Sequence, residues 1–318
     1  MSSKQMVVAN LNLVFGKKEE PLLKRLDDIV MPALKNGIIR EASEKVRYLF
    51  KNCEIKEYDN DLVLKGVLVK DMVVDVMSEL LGGELQKTDK QVPSAPYSVF
   101  MIFLKNHRMV LVKNQSESPD IRSFKVSFKF ILKEYVFCEN QKRKEMGQEL
   151  LPHPKVNVTG IKTSQSVKNA LEDVEKITEL TFRFHPLNAE WDYNPIFGGI
   201  DDSIRKVIGS KNGKMIFSSP TSKEGVANVI EKTEGLAKTK MKVQYKSDSE
   251  IGSKQKTGTI KDNEISDICT IDVNEELDGA FDSIYGYKKD FSSLNVESKN
   301  NIVLYDEYIS KKRGSGSN

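Results

Sequence analysis

Few residues in this chain are of types that could carry out catalysis, and they are dispersed. Glu54-Ile55-Lys56 has the Glu-x-Lys form in which a carboxylate holds a divalent ion and a lysine stabilises developing charge. The partner aspartate of such a nuclease is missing from the expected place, because the nearest upstream acids, Asp27 and Asp28, fall on a predicted helix. His107, His153 and His185 sit in a turn, a proline-flanked loop and a strand end, with neither a carboxylate nor a nucleophile placed beside them. Gly209-Ser210-Lys211-Asn212-Gly213-Lys214 resembles a phosphate loop. It is one residue short between its glycines, has Met215 where a magnesium-holding Ser or Thr belongs, and leads into a strand, so a β-turn is expected. Cys53, Cys138 and Cys269 are isolated, an odd number without CxxC spacing, which points away from zinc and from a disulfide framework. Trp191, beside Asp192-Tyr193-Asn194-Pro195, reads as a packed anchor under a loop. With no catalytic, metal or cofactor motif, the expectation is a binding protein and not an enzyme.

Binding chemistry is better represented. Ser118-Pro119-Asp120 is a helix start: Ser can cap free amides, Pro is tolerated at the first position, and Asp favours the positive end of the dipole. In the helix of roughly 20–30 residues that should follow, at about 100° per residue, Phe124, Phe128, Ile131 and Tyr135 share one side while Arg122, Lys125, Lys129 and Lys133 share another. At about 1.5 Å per residue the four cations extend over roughly 16 Å, enough for several phosphates. Val126 and Phe130 flank the stripe, and Lys142-Arg143-Lys144 prolongs it. A solvated helix would show the same pattern. Lys240, Lys242 and Lys246 form a second candidate, because strand alternation sets them opposite Met241, Val243 and Tyr245. These ten cations are the candidate nucleic-acid-binding residues.

The elements that must position them read as α+β. At 318 residues the chain is long enough for two domains. The boundaries expected are 1–150, ending in the long basic helix, and 151–318, ending in a flexible tail. A strand at 6–14 and a helix at 20–35 precede a hairpin of strands 46–58 and 62–70 around Asp59-Asn60-Asp61. A helix at 71–82 is expected to stop at Gly82-Gly83, followed by paired strands 97–104 and 108–113. The second half reads strand 155–161, helix 164–175, strands 177–186 and 214–218, helix 221–236 and strand 240–246, with an insertion at 187–213 holding a short helix near 201–209. Strands around 266–273 and at 301–308 complete it. Tandem ferredoxin-like (split βαβ) units joined by the long amphipathic helix are the economical architecture. Lys and Arg total 49 against 46 Asp and Glu, so any polyanion-binding surface must be local. No apolar run approaches the roughly 20 residues of a membrane span, and the N-terminus lacks a signal-peptide pattern, so a cytoplasmic protein is expected.

Strand 214–218, Ser219-Pro220, the helix after it and the strand from Met241 to Asp248 with its polar hairpin, together with Val156, Val158, Phe182 and Phe184, resemble RexA-like phage-exclusion proteins over roughly residues 155–273. The resemblance implies a DNA-binding, dimeric sensor of bacterial phage defence that acts with a membrane or effector partner. It carries over no functional residue. Tandem split βαβ units also resemble the CRISPR repeat-binding endoribonucleases, whose C-terminal glycine-rich loop finds only scattered glycines at 250–300. A protein-interaction subunit using exposed sheet faces is the remaining alternative.

Overall fold

Alternation along the first strand, β1 (Ser2–Phe15), sends Ala9, Leu11 and Leu13 to one face and Met6 and Val8 to the other, and all five are buried. Such a strand needs a layer on each side. One layer is helical: a 3-10 turn at Leu22–Arg25, a π turn at Leu26–Val30 and α1 (Met31–Lys35) follow the two-residue β2 (Glu20–Pro21). The computed structural model describes residues 1–185, 207–210, 212–246, 256–296 and 298–315.

The chain next lays down β3 (Arg40–Ser43), β4 (Val46–Tyr58), β5 (Asp61–Leu81), β6 (Glu84–Ser94), β7 (Tyr97–Phe103) and β8 (Arg108–Lys113). Asp59 and Asn60, at φ 45° and 68°, make the tight turn between β4 and β5, as their short polar side chains predict. After α2 (Ile121–Glu145) come β9 (Pro154–Gly160), α3 (Ser164–Ala170), β10 (Val174–Phe184), β11 (Gly213–Ser218), α4 (Lys223–Glu231), β12 (Ala237–Tyr245), β13 (Thr257–Lys261) and β14 (Ile268–Val273). Helices α5 (Leu277–Gly286) and α6 (Lys299–Ser315) close the described chain. The large sheet runs β14-β1-β8-β7-β5-β4-β3, and a smaller one runs β11-β10-β12-β13. Mixed α+β is therefore the class. Among the described residues no helix is long and apolar enough to cross a membrane.

The strand order differs from tandem split βαβ units. In a split βαβ unit the two strands joined by the helix lie in one sheet with a third strand between them, whereas β9, before α3, pairs with β1 in the large sheet and β10, after α3, lies in the small one. Length is the cause: the 14 residues of β1 accept β14 along residues 2–7 and β9 along residues 9–15 of the same edge. Both halves of the chain thus build one sheet.

Two local expectations also change. Residues 71–82 continue β5 and pair with β6 instead of forming a helix, because Val73, Val74 and Val76 are β-branched and Gly82-Gly83, at φ 59° and 89°, turns the hairpin. Residues 301–308 belong to α6 and not to a strand: Asn301, Tyr305 and Tyr308 are buried at helical spacing, and the Tyr305 hydroxyl accepts from Leu62 N at 2.7 Å. Trp191 lies outside the described residues, and of the helix expected near 201–209 only 207–209 are described, as a turn.

Helix α2 seals one face of the large sheet with Phe124, Phe128, Ile131, Leu132 and Val136. Phe124 stands 5.1 Å from Phe100 and 5.7 Å from Phe50, centroid to centroid and edge to face. On the opposite face α5 inserts Phe281 and Ile284. The small sheet is covered on one side by α3 and α4 through Val167, Leu171, Val226 and Ile230. No described helix packs across its other side.

Candidate nucleic-acid interface

Strand alternation decides what that other side carries. Along β12, Ala237, Thr239, Met241 and Val243 are buried, while Lys238, Lys240 and Lys242 face outward. Arg183 on β10, Lys214 on β11 and Lys261 on β13 point the same way, because their cross-strand partners are these lysines or one another. Arg183 stands opposite both Lys238 and Lys214, and Lys240 stands opposite Lys261. Directly opposed like charges lie about 4.5–5.5 Å apart at Cβ and destabilise a sheet. Three such pairs on one face are a cost that folding alone does not explain. Glu179 is paired across this face, holding Lys242 at 3.0 Å. Through that hydrogen bond Lys242 draws the Glu179 carboxyl below its ordinary range.

Helix α2 adjoins the sheet through Lys125. Burial first, and then Lys238 beside it, push the Lys125 ammonium down to about 7. His185, at the end of β10, is likewise lowered to about 4, by burial and then by Lys238, and its Nδ1 lies 3.4 Å from Asn212 Oδ1. These groups feel one another, so sheet and helix share a single positive field.

Each cation singled out in the sequence has a definite place. Arg122, Lys129 and Lys133 are exposed along α2, whereas Lys125 is half-buried and turned towards the small sheet. Among the described residues no carboxylate pairs with any of these four within 4.0 Å, save the longer-range pull of Asp262 on Lys125. Lys142 and Arg143 share Glu139, each at 3.6 Å, and Arg143 also donates to Glu149 O, which leaves Lys144 as the uncommitted member of that run. Lys240 is exposed, Lys242 is paired with Glu179, and Lys246 lies past the strand end, donating to Glu172 O at 2.7 Å. Lys238 was legible in the same alternation as Lys240 and Lys242, and Arg183 in the alternation with Phe182 and Phe184. Lys214 and Lys261 require knowledge of which strands pair.

The start of α2 is also refined. Asp120, not Ser118, is the N-cap: its carboxylate accepts from Ser123 N at 2.7 Å, while Ser118 Oγ accepts from Gln115 N in the preceding turn. Asp120→Ala should therefore lower unfolding free energy by about 1 kcal/mol, read from urea denaturation. An unchanged midpoint would contradict the cap assignment.

Where the sequence hinted at catalysis, the side chains are otherwise engaged. Glu54 pairs with Lys65 at 3.0 Å, and Lys56 reaches Asp282 at 3.5 Å. His107 is buried, its Nδ1 3.3 Å from Asn301 Nδ2. Burial pushes the Cys53 thiol up to about 12, which makes it a poor nucleophile at neutral pH. Among the described residues no three His, Cys, Asp or Glu side chains converge as a metal site requires. Comparison with protein-family models found no match, and comparison with curated proteins found none.

Proposed function

We propose that this chain is a non-catalytic, nucleic-acid-binding component of a bacterial phage-defence or exclusion system, acting on DNA in the cytoplasm. The observation that carries the binding half is the outer face of the small sheet, where Arg183, Lys214, Lys238, Lys240 and Lys261 oppose one another across the strands. A polyanion laid along that face turns three repulsive pairs into shared phosphate contacts and releases counterions. Alternate residues on a strand are about 6.7 Å apart and neighbouring strands about 4.8 Å, so the cations form a grid dense enough to follow a sugar-phosphate backbone. No aromatic ring is exposed on this face among the described residues, and phosphate contacts without base stacking bind without sequence preference. The defence role rests on the resemblance to RexA-like proteins. Anisotropy titration with labelled duplex and single-stranded DNA at low salt tests the binding half, and absence of saturable binding to both would overturn it.

A second role, contact with another protein or a second copy, is favoured by the ribbon formed by the far end of β5 with β6. It projects Met77, Leu80 and Leu85 at 73%, 70% and 76% exposure. Two-stranded ribbons alone are marginal in water, and exposed apolar residues in a cluster mark interaction surfaces.

A further inference from the structure

Where α2 meets β9, β12 and the turn Asp262–Glu264, the chain encloses a cavity of about 320 Å³. Arg122, Lys125 and Lys238 line it, with Val126 and Val158 as its apolar wall. Asp262 also lines it, but its charge is already committed. Its Oδ1 pairs at 2.6 Å with the Nζ of the buried Lys162 and accepts from Thr239 N at 2.8 Å. The cavity therefore brings three cationic side chains together with one described carboxylate, Asp262, which is shared with Lys162.

We propose that this cavity is a phosphoryl-binding site in which Arg122, Lys125 and Lys238 hold the oxygens and Lys162 keeps Asp262 from repelling them. The inference deepens the nucleic-acid reading, on which it rests, by assigning one discrete phosphate subsite at the seam between the two sheets. At the small end of ligand cavities, which run about 300–1,000 Å³, it admits a phosphate with its sugar but no length of duplex. The group is either the terminal phosphate of a strand or one internal diester.

A pH signature accompanies the geometry. Lys125 faces Arg122 and Lys129 on its own helix, Lys238 on β12, His185 at the end of β10, and Asp262 with Lys162 behind it. Its ammonium titrates at about 7 in the free protein. An anion favours the charged form, so binding takes up a proton and weakens as pH rises through that value.

Isothermal titration with sodium sulfate, which stays a dianion across the range, tests the site without ambiguity from the ligand. Affinity should fall by about tenfold or more between about pH 6 and pH 8.5, as the competent fraction of Lys125 falls. Lys125→Met, which removes a crowded charge and should fold, is expected to weaken sulfate binding by about tenfold at the lower pH and to flatten the dependence. Lys24→Met, at an exposed lysine of the Leu22–Arg25 turn outside the cavity lining, should change neither. Sulfate binding that Lys125→Met leaves intact overturns the assignment. Absence of sulfate binding with DNA binding retained overturns the subsite alone, and loss of both overturns the wider face as well. Oligonucleotides with and without a 5′-phosphate then separate the sources. A preference for the phosphorylated end that Lys125→Met erases assigns a terminal phosphate, and equal affinities both weakened by that substitution assign a diester. Equal affinities insensitive to it contradict the site.

Discussion

Reversing two charges on the outer face of the small sheet, Arg183→Glu together with Lys240→Glu, is expected to abolish DNA binding and at the same time to stabilise the free protein. The two effects have one cause. Arg183 is the middle of the row Lys214–Arg183–Lys238, and Lys240 faces Lys261, so both substitutions turn like-charged cross-strand pairs into opposite-charged ones. Each exchanged pair contributes about 0.2–1 kcal/mol, and the three together should raise unfolding free energy by about 1–2 kcal/mol at low salt. Affinity for DNA should drop on the order of 100-fold, because two phosphate contacts are lost and repulsion takes their place. Anisotropy titration and urea denaturation on the same preparation provide both readings. Unchanged affinity would remove the sheet face from the interface, and a loss of stability would show that those cations have structural partners.

The second large effect concerns the joint that holds the small sheet against the large one. Arg108, 1% exposed at the start of β8, donates through Nη1 to Glu234 O at 2.7 Å, and its Nη2 lies 3.3 Å from Glu234 Oε2. The turn it grips is tight. Glu234 sits at φ 47° and Gly235 at φ 77°, and a Cβ on Gly235 would lie 3.0 Å from Asn10 Cβ and 3.2 Å from Thr159 O. Arg108→Leu removes that donor from the Glu234 carbonyl and from its carboxylate, whose side chain is 37% exposed, and should cost about 1.5–3 kcal/mol. The exposed pair Arg47–Asp71, at 2.6 Å, is the internal standard, for Arg47→Ala should cost less than about 1 kcal/mol. Equal effects from the two substitutions, measured by urea denaturation, would mean that Arg108 is not the joint described here.

How much of this was legible in the sequence follows from the range over which each signal acts. The Asp59-Asn60 turn, the apolar stripe Phe124, Phe128, Ile131 of α2 and the alternation of β12 are local, and all three appear in the structure as their spacing predicts. Segments apolar by both periods misled. Residues 71–82 place valines and leucines at intervals that suit a helix, yet pairing with β6 settles them as a strand, and 301–308 went the other way once Tyr305 and Tyr308 found partners across the fold. The candidate interface was half legible. The stripe on α2 and the lysines of β12 could be seen as two separate patches, but nothing local places Lys125 against Lys238, or Lys261 and Lys214 in register with Lys240 and Arg183. Strand register and the meeting of two sheets are long-range facts, and they turned separate patches into one surface.

Lysine-modification footprinting, with and without a saturating oligonucleotide, tests most directly whether that surface is where polyanions bind. Lys129, Lys214, Lys238, Lys240 and Lys261 should be protected, with Lys24 modified equally in both states. Protection centred on any other part of the molecule, or unchanged reactivity of Lys238, Lys240 and Lys261 in a demonstrably bound complex, would contradict that assignment.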